Sequence, residues 1–472
     1  MVVGSVSRGC QVVVIGGGPG GYVAAIRLGQ MGKDVILIER APRLGGICLN
    51  EGCIPSKALI HAADLVHEVE HASNIGISVT EISVDMEKLC GWKNSIVERL
   101  TGGVAFLCGK AGVEILRGEA HFLSDRRLAV ESDEGILEVE FEQAVIATGS
   151  SPMSLPGFEV DGDLVIGPRE ALDLTSVPER FVVIGAGYIG LELGTVFSKL
   201  GSEVSVVEFL PSIFPTMEPE VGKTMKRSLK KLGMKVHLEH RAMGVDREGD
   251  QAFVLASKGD KELRLPADRV LLSIGRVPNS SGLGLEEIGV ELDEKGFIRT
   301  NEKMQTTLSG IYAIGDVVGG ALLAHKAYQE AKVAAAVICG EDAAFDNVGI
   351  PAVVYTDPEI ATVGLSEEEA REAGYEVATG SFSLKASGRA MTLDATDGFI
   401  KVVLDAGNEN HLLGLTAMGP GVSELIGEAT LGLEMGAFAE DFALTIHPHP
   451  SLSEALQEAF EVALGKAVHQ AK

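Results

Sequence analysis

Two stretches decide the fold of this chain: Gln11-Val-Val-Val-Ile-Gly-Gly-Gly-Pro-Gly-Gly21 and Phe181-Val-Val-Ile-Gly-Ala-Gly-Tyr-Ile-Gly190. Each has a short β-branched run, a G-x-G-x-x-G turn and then an amphipathic helical stretch. A second strand follows in each copy and ends in an acid, Glu39 or Glu208, 23 residues after the first glycine of the motif. This order and spacing predict two Rossmann-like dinucleotide-binding units in an α/β chain.

The glycines and the acids explain how each unit would hold a dinucleotide. The glycines are Gly16, Gly18 and Gly21 in the first copy and Gly185, Gly187 and Gly190 in the second. They allow a tight turn and a close approach to a pyrophosphate, at which the next helix directs free N–H groups. We expect Glu39 and Glu208 to accept hydrogen bonds from a ribose diol. The alternative is a doubly wound sheet with incidental glycines, which two matched copies disfavour.

Glu208 also bears on the choice between NAD and NADP at the second site. Its carboxylate would repel a 2′-phosphate, and the residues that follow, Phe209-Leu-Pro211, include no arginine to bind one. The sequence therefore predicts NAD at the second site.

Three further strands should bring backbone close to a bound nucleotide. They are Ala144-Val-Ile-Ala-Thr-Gly149, Val270-Leu-Leu-Ser-Ile-Gly275 and Ile311-Tyr-Ala-Ile-Gly-Asp316. We expect Asp316 to bind a polyol hydroxyl. The alternative is that Asp316 caps a turn before Val317.

The pattern of the sequence changes from about Pro351 onward. Alternating runs at Phe399-Ile-Lys-Val-Val-Leu404 and Leu412-Leu-Gly-Leu-Thr-Ala417 precede helical stretches at 422–435 and 451–467. These patterns predict a separate α+β domain with an antiparallel sheet. Because this region carries no cofactor motif, we expect it to have an interface role.

Composition and charge narrow the class of protein. Of the 472 residues, 46% are hydrophobic and 23% are charged, which suits sizeable cores and argues against disorder or a fibre. A net charge of −27 should favour solubility and repel nucleic acid and anionic membranes. It would suit a basic protein partner, or it serves solubility alone. We find no secretory signal and no apolar run of about 18 residues, so we expect a cytoplasmic protein, or an organelle-matrix protein whose transit peptide was removed.

Cys48 and Cys53 are the closest pair among six cysteines. On a regular helix this spacing would place them about 7.5 Å apart along the axis and about 140° apart around it. A disulfide needs Cα atoms within about 7 Å and converging Cβ atoms. The segment must therefore be distorted, which Gly52 and Pro55 would allow.

Three interpretations of this pair compete. A metal site would need two further soft ligands, and no second close Cys or His pair is evident. Two unrelated buried thiols would leave the position soon after Glu39 unexplained. A redox disulfide beside a flavin accounts for both spacing and position, and we favour it. Lys57 is then a cation that stabilises a thiolate or the reduced flavin, or else an ordinary exposed lysine.

A histidine near the C terminus has the setting of a proton acceptor. His449 lies between two prolines in Thr445-Ile-His-Pro-His-Pro-Ser-Leu-Ser-Glu454, where Ser451 or Ser453 could cap the last helix. Glu454 could bond one imidazole nitrogen and raise its basicity, so that the pair takes a proton from a thiol. From the residue pattern alone, a capping histidine is an equal alternative.

Together these motifs resemble the pyridine nucleotide-disulfide oxidoreductases with one redox disulfide per subunit. The similarity runs from about residue 10 to 466, and its motifs are GGICLNEGCIPSK, GAGYIGLELG, SIGRVPN, IYAIGD, LLAHKA and HPHPSLSE. The resemblance implies an FAD-binding domain at 1–152, an NAD-binding domain at 153–279, a central domain at 280–349 that completes the FAD site, and an interface domain at 350–472.

The resemblance also implies an activity and its catalytic residues. The chain would oxidise protein-bound dihydrolipoamide and reduce NAD⁺, as a homodimer serving a lipoyl-bearing acyltransferase or a glycine-cleavage carrier protein. Cys48 would exchange with substrate, and Cys53 would be the flavin-side thiol, able to form a charge-transfer pair with FAD. Lys57 would lie near the flavin and pair with Glu192. His449 and Glu454 would act on the disulfide of the other subunit.

Cofactor contacts follow from the same resemblance, and no metal is implied. Besides the first fingerprint, those to FAD would be Glu39, Lys57, Ala120, Thr148, Gly149, Asp316 and Ala324. Those to NAD would be the 185–192 turn, Glu208, Ala242 and Gly275. Relatives often have Gly in place of Ala120, and some have Val in place of Ala242, so both would act through the backbone. Family members often read HAHPT where this chain has His447-Pro-His-Pro-Ser451.

Rival functions within the family fit less well. Glutathione-type reductases usually have arginines after the second fingerprint, and mercuric reductases carry a C-terminal cysteine pair, whereas the last cysteine here is Cys339. Flavin transhydrogenases lack the redox pair. A non-catalytic flavoprotein subunit would not need Cys48, Cys53 and His449.

Overall fold

Both glycine fingerprints lie where a buried parallel strand ends and a helix begins. A computed structural model describes residues 7–470 of the protein. In its first part the elements are β1 (Ser7–Ile15), α1 (Pro19–Gln30), β2 (Val35–Glu39), α2 (Gly46–Glu51), α3 (Cys53–His71), α4 (Met86–Lys110), β3 (Glu114–Arg117), β4 (Glu119–Ser124), β5 (Arg127–Ser132), β6 (Gly135–Ile146) and β7 (Ser150–Pro152).

The middle of the chain holds the second fingerprint. Its elements are β8 (Val165–Ile166), α5 (Pro168–Leu172), β9 (Arg180–Ile184), α6 (Tyr188–Lys199), β10 (Glu203–Val207), α7 (Pro219–Lys231), β11 (Lys235–His237), β12 (Arg241–Glu248), β13 (Gln251–Lys258), β14 (Lys261–Ala267), β15 (Arg269–Leu272), β16 (Arg276–Pro278), α8 (Leu285–Ile288), β17 (Ile311–Ala313) and α9 (Ala324–Ile338).

The last part of the chain is a mixed α+β region. Its elements are β18 (Ala352–Val354), β19 (Glu359–Gly364), α10 (Glu367–Glu372), β20 (Val377–Ser383), α11 (Gly388–Thr392), β21 (Phe399–Asp405), β22 (His411–Gly419), α12 (Val422–Met435), α13 (Ala439–Leu444) and α14 (Glu454–Ala463). Short 3₁₀ turns lie at Ala72–Ile75, Gly315–Val318 and Leu384–Ala386.

The chain divides into two compact units. The first runs up to Leu59 and also takes in Asp85–Met153 and Gly275–Asp346, and the second comprises Ile60–Val84, Ser154–Ile274 and Asn347 onward. The four domain boundaries expected from the sequence are a finer division and stay a prediction. Residues 1–6 and 471–472, at the ends of the expected FAD and interface domains, lie outside the described residues.

A mixed sheet organises the first unit. Its strand order is β3-β2-β1-β6-β5-β4, and β17 also pairs with β6. β1 is parallel to both β2 and β6, whereas β4, β5 and β6 form an antiparallel meander. Val12, Val13 and Val14 of β1 are fully buried, because helices and the rest of the unit cover both faces of its parallel part.

The second unit contains a parallel sheet in the order β11-β10-β9-β15-β8 and an antiparallel meander of β12, β13 and β14. Its C-terminal part is a five-stranded antiparallel sheet in the order β18-β19-β22-β21-β20. The expected fold class, two Rossmann-like domains followed by an α+β dimerisation domain, is confirmed. In the described part of the chain, no helix is long and apolar enough to cross a membrane.

Two details of the C-terminal prediction are wrong. β21 and β22 do not alternate between buried and exposed residues, because nearly every residue of both strands is buried. The helix expected at 451–467 is α14, Glu454–Ala463. It begins later because the Ser451 N–H donates to the Glu454 carboxylate before the helix starts, and it stops before Gly465, whose φ is +69°. The helix predicted at 422–435 is confirmed as α12.

Candidate active site

The first glycine of each fingerprint turns the chain against the end of a neighbouring strand. Gly16 and Gly185 have φ of +101° and +100°. A Cβ atom on Gly16 would lie 2.4 Å from the Ala147 carbonyl oxygen, and one on Gly185 would lie 2.6 Å from that of Ser273. Both positions therefore need glycine for conformation and for space.

The second and third glycines of each fingerprint differ in the space around them. A Cβ on Gly21 would lie 1.7 Å from the Gly16 carbonyl oxygen, and one on Gly190 would lie 2.4 Å from that of Gly185, so the helix packs directly on the turn. In contrast, a Cβ on Gly187 would meet nothing within 4 Å. On Gly18 the nearest atom would be 3.8 Å away. The middle glycine leaves open space where a pyrophosphate would approach.

The two strand-end acids make the same pair of hydrogen bonds. Glu39 accepts from the Gly17 N–H at 2.7 Å and from the Ala41 N–H at 2.8 Å. Glu208 accepts from the Ala186 N–H at 2.6 Å and from the Leu210 N–H at 2.7 Å. Each carboxylate is thereby fixed beside its glycine turn and retains lone pairs for a diol.

Both fingerprint helices begin without a side-chain cap. The N-cap residues of α1 and α6 are Gly18 and Gly187, and neither helix has an acidic residue in its first turn. The N–H groups of the first turn are therefore available to an anion. Fixed acids, open middle glycines and uncapped helices fit one dinucleotide at each glycine turn.

Residues of three segments meet around the end of β6. The Thr148 hydroxyl donates to the Asn279 carbonyl oxygen at 2.7 Å, and the Asn279 N–H donates to the Gly149 carbonyl oxygen at 2.9 Å. Asp316 accepts from the Ser150 hydroxyl at 2.5 Å, and Arg276 Nε donates to the same hydroxyl at 2.7 Å. This network holds Thr148, Gly149 and Asp316 in one place within the first unit.

Asp316 lies inside a 3₁₀ turn, so its side chain faces Ser150 instead of capping the turn. Ser150, Arg276 and Asn279 are not individually predictable from a pattern in the sequence. Arg276 and Asn279 lie in the quoted SIGRVPN motif, so their presence there was the available signal.

Ala324 is the first residue of α9, which also lacks a side-chain cap. A buried ion pair follows it, in which Lys326 Nζ lies 2.6 Å from Glu330 Oε1. The Glu330 carboxylate also accepts from the Gly315 N–H at 2.7 Å. Burial raises the pKa of Glu330, which Lys326 counteracts. The pair fixes the start of α9 next to the turn that carries Asp316.

Ala120 and Ala242, at which many relatives have another residue, lie in strands. Ala120 in β4 is buried opposite Val130, and Ala242 in β12 lies opposite Ala256 next to a register shift. Gly275, the last of the expected NAD contacts, has φ of +141°, and its carbonyl oxygen accepts from the Met153 N–H at 3.0 Å. Nothing in these contacts bears on cofactor binding, so the roles of these three residues stay predictions.

Cys48 and Cys53 lie on either side of a helix break. Cys48 belongs to α2, which ends at Glu51 with Gly52 as its C-cap, and Cys53 is the first residue of α3. A Cβ on Gly52 would lie 3.1 Å from the Ile47 carbonyl oxygen. The break is the distortion that the spacing requires, since it brings the two sulfur atoms into hydrogen-bond contact.

The two thiols have different electrostatic environments. The hydrogen bond with Cys53 raises the pKa of Cys48 well above its ordinary value, burial raises it further, and Lys57 lowers it. The environment of Cys48 therefore favours its protonated form, whereas Cys53 lies in the first turn of α3, where negative charge is favourable.

Two tyrosines that the sequence analysis missed lie close to these thiols. The hydroxyls of Tyr22 in α1 and Tyr328 in α9 are 2.9 Å apart. Burial is the main cause that raises the pKa of both, and a negative charge on Cys48 would raise both further. No sequence signal pointed to them, because their proximity depends on the packing of α1 against α9.

The His–Glu pair near the C terminus is formed. His449 Nδ1 lies 2.8 Å from Glu454 Oε1, and the other carboxylate oxygen accepts from the Ser451 N–H at 2.8 Å. Burial alone would raise the pKa of Glu454, but the Ser451 N–H and His449 lower it below its ordinary value. The His449 side chain is 80% exposed, and the pair with Glu454 uses only its Nδ1.

Lys57 and Glu192 belong to different compact units. Lys57 lies near Cys48 in the first unit, and Glu192 Oε1 in the second accepts from the Tyr355 N–H at 2.9 Å. The pairing of Lys57 with Glu192 stays a prediction.

Two family models match this chain. The family model described as pyridine nucleotide-disulphide oxidoreductase matches residues 10–331, and that of its dimerisation domain matches residues 350–460.

Full-length relatives and solved structures agree with these matches. Dihydrolipoyl dehydrogenase 2 of Haloarcula marismortui is 46% identical over 99% of this chain and 100% of its own length, and dihydrolipoyl dehydrogenase of Bacillus subtilis is 42% identical over the full length of both chains. LpdA of Mycobacterium tuberculosis superposes with a TM-score of 0.88 at 26% identity, covering 96% of this chain and 99% of that one. The Escherichia coli flavoprotein disulfide reductase RclA gives 0.85 at 26% identity with the same coverage. This chain belongs to the pyridine nucleotide-disulphide oxidoreductase family.

Proposed function

We propose that this chain has dihydrolipoyl dehydrogenase activity: it oxidises protein-bound dihydrolipoamide to lipoamide and reduces NAD⁺ to NADH. The observation that carries the proposal is the Cys48–Cys53 thiol pair at the helix break, in the same unit as the first dinucleotide turn. Identities of 42–46% to curated dihydrolipoyl dehydrogenases support the choice of substrate.

The cysteine pair exchanges its disulfide with the substrate dithiol. One substrate thiolate attacks Sγ of Cys48, the Cys48–Cys53 bond breaks, and Cys53 leaves as a thiolate. The second substrate thiolate attacks the substrate sulfur of the mixed disulfide, which releases Cys48 and closes the disulfide of lipoamide. The cysteine pair gains the two electrons that the substrate loses. The start of α3 and the nearby Lys57 stabilise the departing charge on Cys53.

His449 and Glu454 carry out the proton transfer of this exchange. The attacking species is a thiolate, so His449 takes the proton from a substrate thiol. Glu454 bonds Nδ1, which fixes the tautomer, and its carboxylate stabilises the imidazolium that forms. Of the two substrate protons, one ends on Cys48, whose raised pKa suits it to hold a proton, and the other on His449.

The cofactors would be held by the residues of the two glycine turns. Glu39, Asp316 and the start of α9 would bind FAD, and Glu208 with the open turn at Gly187 would bind NAD. The bound cofactors supply the two-electron and hydride chemistry that side chains cannot. Glu208 supports NAD over NADP, because its fixed carboxylate would repel a 2′-phosphate.

The chain carries the dimerisation domain of its family, and we infer a homodimer in which His449 serves the cysteines of the other subunit. Exposed apolar side chains on and after α12 and α13 support an interface there. They are Leu431, Met435, Leu444 and Ile446, with 60%, 75%, 82% and 94% exposure.

The substrate group would be presented by a lipoyl-bearing acyltransferase or a glycine-cleavage carrier protein. The chain would then be the flavoprotein component of a 2-oxoacid dehydrogenase or glycine-cleavage complex. A cytoplasmic location belongs to the same proposal, because the reduced dithiol requires a reducing compartment.

The first test replaces the exchanging thiol. Cys48→Ser should abolish NAD⁺ reduction by dihydrolipoamide, while bound FAD and NADH–dye activity remain, because the dinucleotide sites are untouched. Cys339→Ser is the matched control and should behave as wild type. Full lipoamide activity in Cys48→Ser would reject the proposal.

The second test asks whether His449 acts on the other subunit. Homodimers of Cys48→Ser and of His449→Gln should both be inactive with dihydrolipoamide. Mixed dimers would pair the intact Cys48 of one subunit with the intact His449 of the other, which restores one working site per dimer. Inactive mixed dimers, verified by differential tags, would mean that each subunit uses its own histidine.

A further inference from the structure

We propose that His67, Glu70 and His71, in the last turns of α3, form a binding site for a borderline divalent transition-metal ion such as Zn²⁺. Their ligand atoms all lie within 4.8 Å of one another. The two imidazole rings have centroids 4.1 Å apart. Within residues 7–470 no other group of three His, Cys, Asp or Glu side chains is arranged this way.

Helical spacing explains this arrangement. His67 and His71 are four residues apart on a regular helix, and Glu70 is three residues after His67, so their side chains share a face. The segment His67-Glu-Val-Glu-His71 also satisfies the H-E-x-x-H pattern, in which two histidines of one helix bind zinc. The third ligand here is Glu70, which lies between the histidines, and the proposal concerns binding alone.

The histidine tautomer suits coordination. His71 Nδ1 lies 2.8 Å from the His67 carbonyl oxygen, so Nδ1 carries the proton and Nε2 keeps its lone pair. Histidines that bind metals usually donate their other ring N–H to a carbonyl or carboxylate in this way, which fixes the ring orientation.

The surrounding charges favour a cation. The positive charge that acts on His67 is Lys199, whose Nζ is 2.7 Å from Asp64 and 2.6 Å from Asp357. Two carboxylates therefore surround one ammonium group, and Glu70 adds a third negative charge. The local balance stays negative when both histidines are neutral.

The ligand set selects the class of ion. Two imidazole nitrogens and one carboxylate suit Zn²⁺, Ni²⁺ or Cu²⁺, whereas Mg²⁺ and Ca²⁺ prefer oxygen ligands. His67 is partly buried, but Glu70 and His71 are exposed, so water would complete the coordination. We therefore infer an exchangeable site that links the last two turns of α3 and stabilises the helix end.

Titration of the full-length, FAD-loaded, oxidised protein with Zn²⁺ alone tests the proposal by calorimetry and by thermal melting. Oxidation keeps Cys48 and Cys53 from competing for the ion. Wild type should bind Zn²⁺ and melt at a higher temperature with it, because an ion that binds the folded state stabilises that state. Mg²⁺ at the same concentration should have no effect.

Variants identify the ligands. His71→Ala and Glu70→Gln should each weaken Zn²⁺ binding, His71→Ala by roughly tenfold or more, since even outer partners of metal ligands contribute about 10–100-fold. Both positions are exposed, so the melting temperature without Zn²⁺ should not change. His121→Ala is the control, because His121 also bonds a carbonyl oxygen through Nδ1 but lies outside the cluster. Absence of binding, or equal affinity in wild type and His71→Ala, would overturn the site.

Discussion

Two histidines separated by a single proline have opposite environments. The His447 side chain is only 4% exposed and bonds Glu428 through Nε2 at 2.9 Å and the Thr445 carbonyl oxygen through Nδ1 at 3.0 Å. Both of its nitrogens are therefore engaged. His449 is 80% exposed and uses only Nδ1, toward Glu454. His449 is thus suited to proton transfer, whereas His447 holds its segment in place through two hydrogen bonds.

Substitution of the two histidines should separate these roles. His449→Gln should lower dihydrolipoamide turnover by about 10²–10⁴-fold, the usual contribution of a general base, and leave the melting temperature unchanged. His447→Gln should mainly destabilise the protein, by about 1–3 kcal/mol, because a buried imidazole loses its hydrogen bonds to Glu428 and to the Thr445 carbonyl oxygen. Steady-state kinetics and thermal melting of both variants test these two roles. A His447→Gln variant that loses turnover but melts at the wild-type temperature would contradict the structural role of His447.

At the scale of the strand–turn–helix element, substitution of the second glycine of the second fingerprint, Gly187, should impair NAD⁺ binding. Substitution of the third, Gly190, should impair stability. Gly187 has φ of −74° and open space at its Cβ position, so Gly187→Ala should fold normally and raise the KM for NAD⁺ about tenfold or more by obstructing the pyrophosphate. Gly190→Ala, whose Cβ would lie 2.4 Å from the Gly185 carbonyl oxygen, should instead lower the melting temperature without cofactor. Equal KM values for wild type and Gly187→Ala would disprove the open-turn argument.

An ion pair joins the start of β9 to the segment before β15. Arg180 donates to Asp268 from its backbone N–H at 2.8 Å and from its guanidinium at 2.5 Å. The Arg180 hydrogen bond is the main cause that lowers the pKa of Asp268 below its ordinary value. A lowered folded-state pKa means that the carboxylate stabilises the fold above its unfolded pKa of about 3.9, and that this stability is lost as pH falls through the folded value.

This linkage predicts how Asp268→Asn depends on pH. At pH 7 the variant should melt several degrees below wild type, and the difference should vanish as the pH falls below the lowered pKa of Asp268. Asp246→Asn removes an exposed pair with Arg264 and should have little effect at either pH. A difference between Asp268→Asn and wild type that persists in acid would show that the carboxylate charge is not responsible.

At the scale of the whole molecule, a buried charge cluster holds distant parts of the second unit together. Lys401 Nζ in β21 lies 2.7 Å from Glu218, which precedes α7, and 2.7 Å from Glu367 in α10. The Lys401 and Glu218 side chains are 8% and 2% exposed. The cluster connects the C-terminal sheet, which contains β21, to the start of α7.

Removal of the buried cation should be costly. Lys401→Met leaves the buried Glu218 carboxylate with the Glu367 N–H but without a cation, and should destabilise the protein by about 3–5 kcal/mol. Lys231→Met breaks an exposed pair with Asp397 and should cost only about 0–1 kcal/mol. The double variant Lys401→Met with Glu218→Gln should recover part of the loss. Chemical denaturation of the three variants measures their free energies of unfolding. Equal values for Lys401→Met and Lys231→Met would show that the buried cation is not needed for stability.

The α/β class, the two nucleotide turns, the thiol pair and the His449–Glu454 pair all follow from the sequence. Each depends on residues that are close along the chain: a glycine motif with an acid 23 residues later, two cysteines around Gly52, and a histidine five residues before a glutamate. Local backbone geometry constrains such groups directly, so their spacing carries the information.

Only the tertiary structure decided which histidine of the HPH segment is buried, why Lys401 can lie inside a strand, and that Ser150, Arg276 and Asn279 surround the end of β6. These outcomes depend on partners between 19 and 183 residues away, such as Glu428 for His447 and Glu218 for Lys401. Period and spacing describe neighbours along the chain, whereas burial and charge pairing depend on which segments pack together. For that reason β21 reads as an alternating, half-exposed strand and is instead buried on both faces.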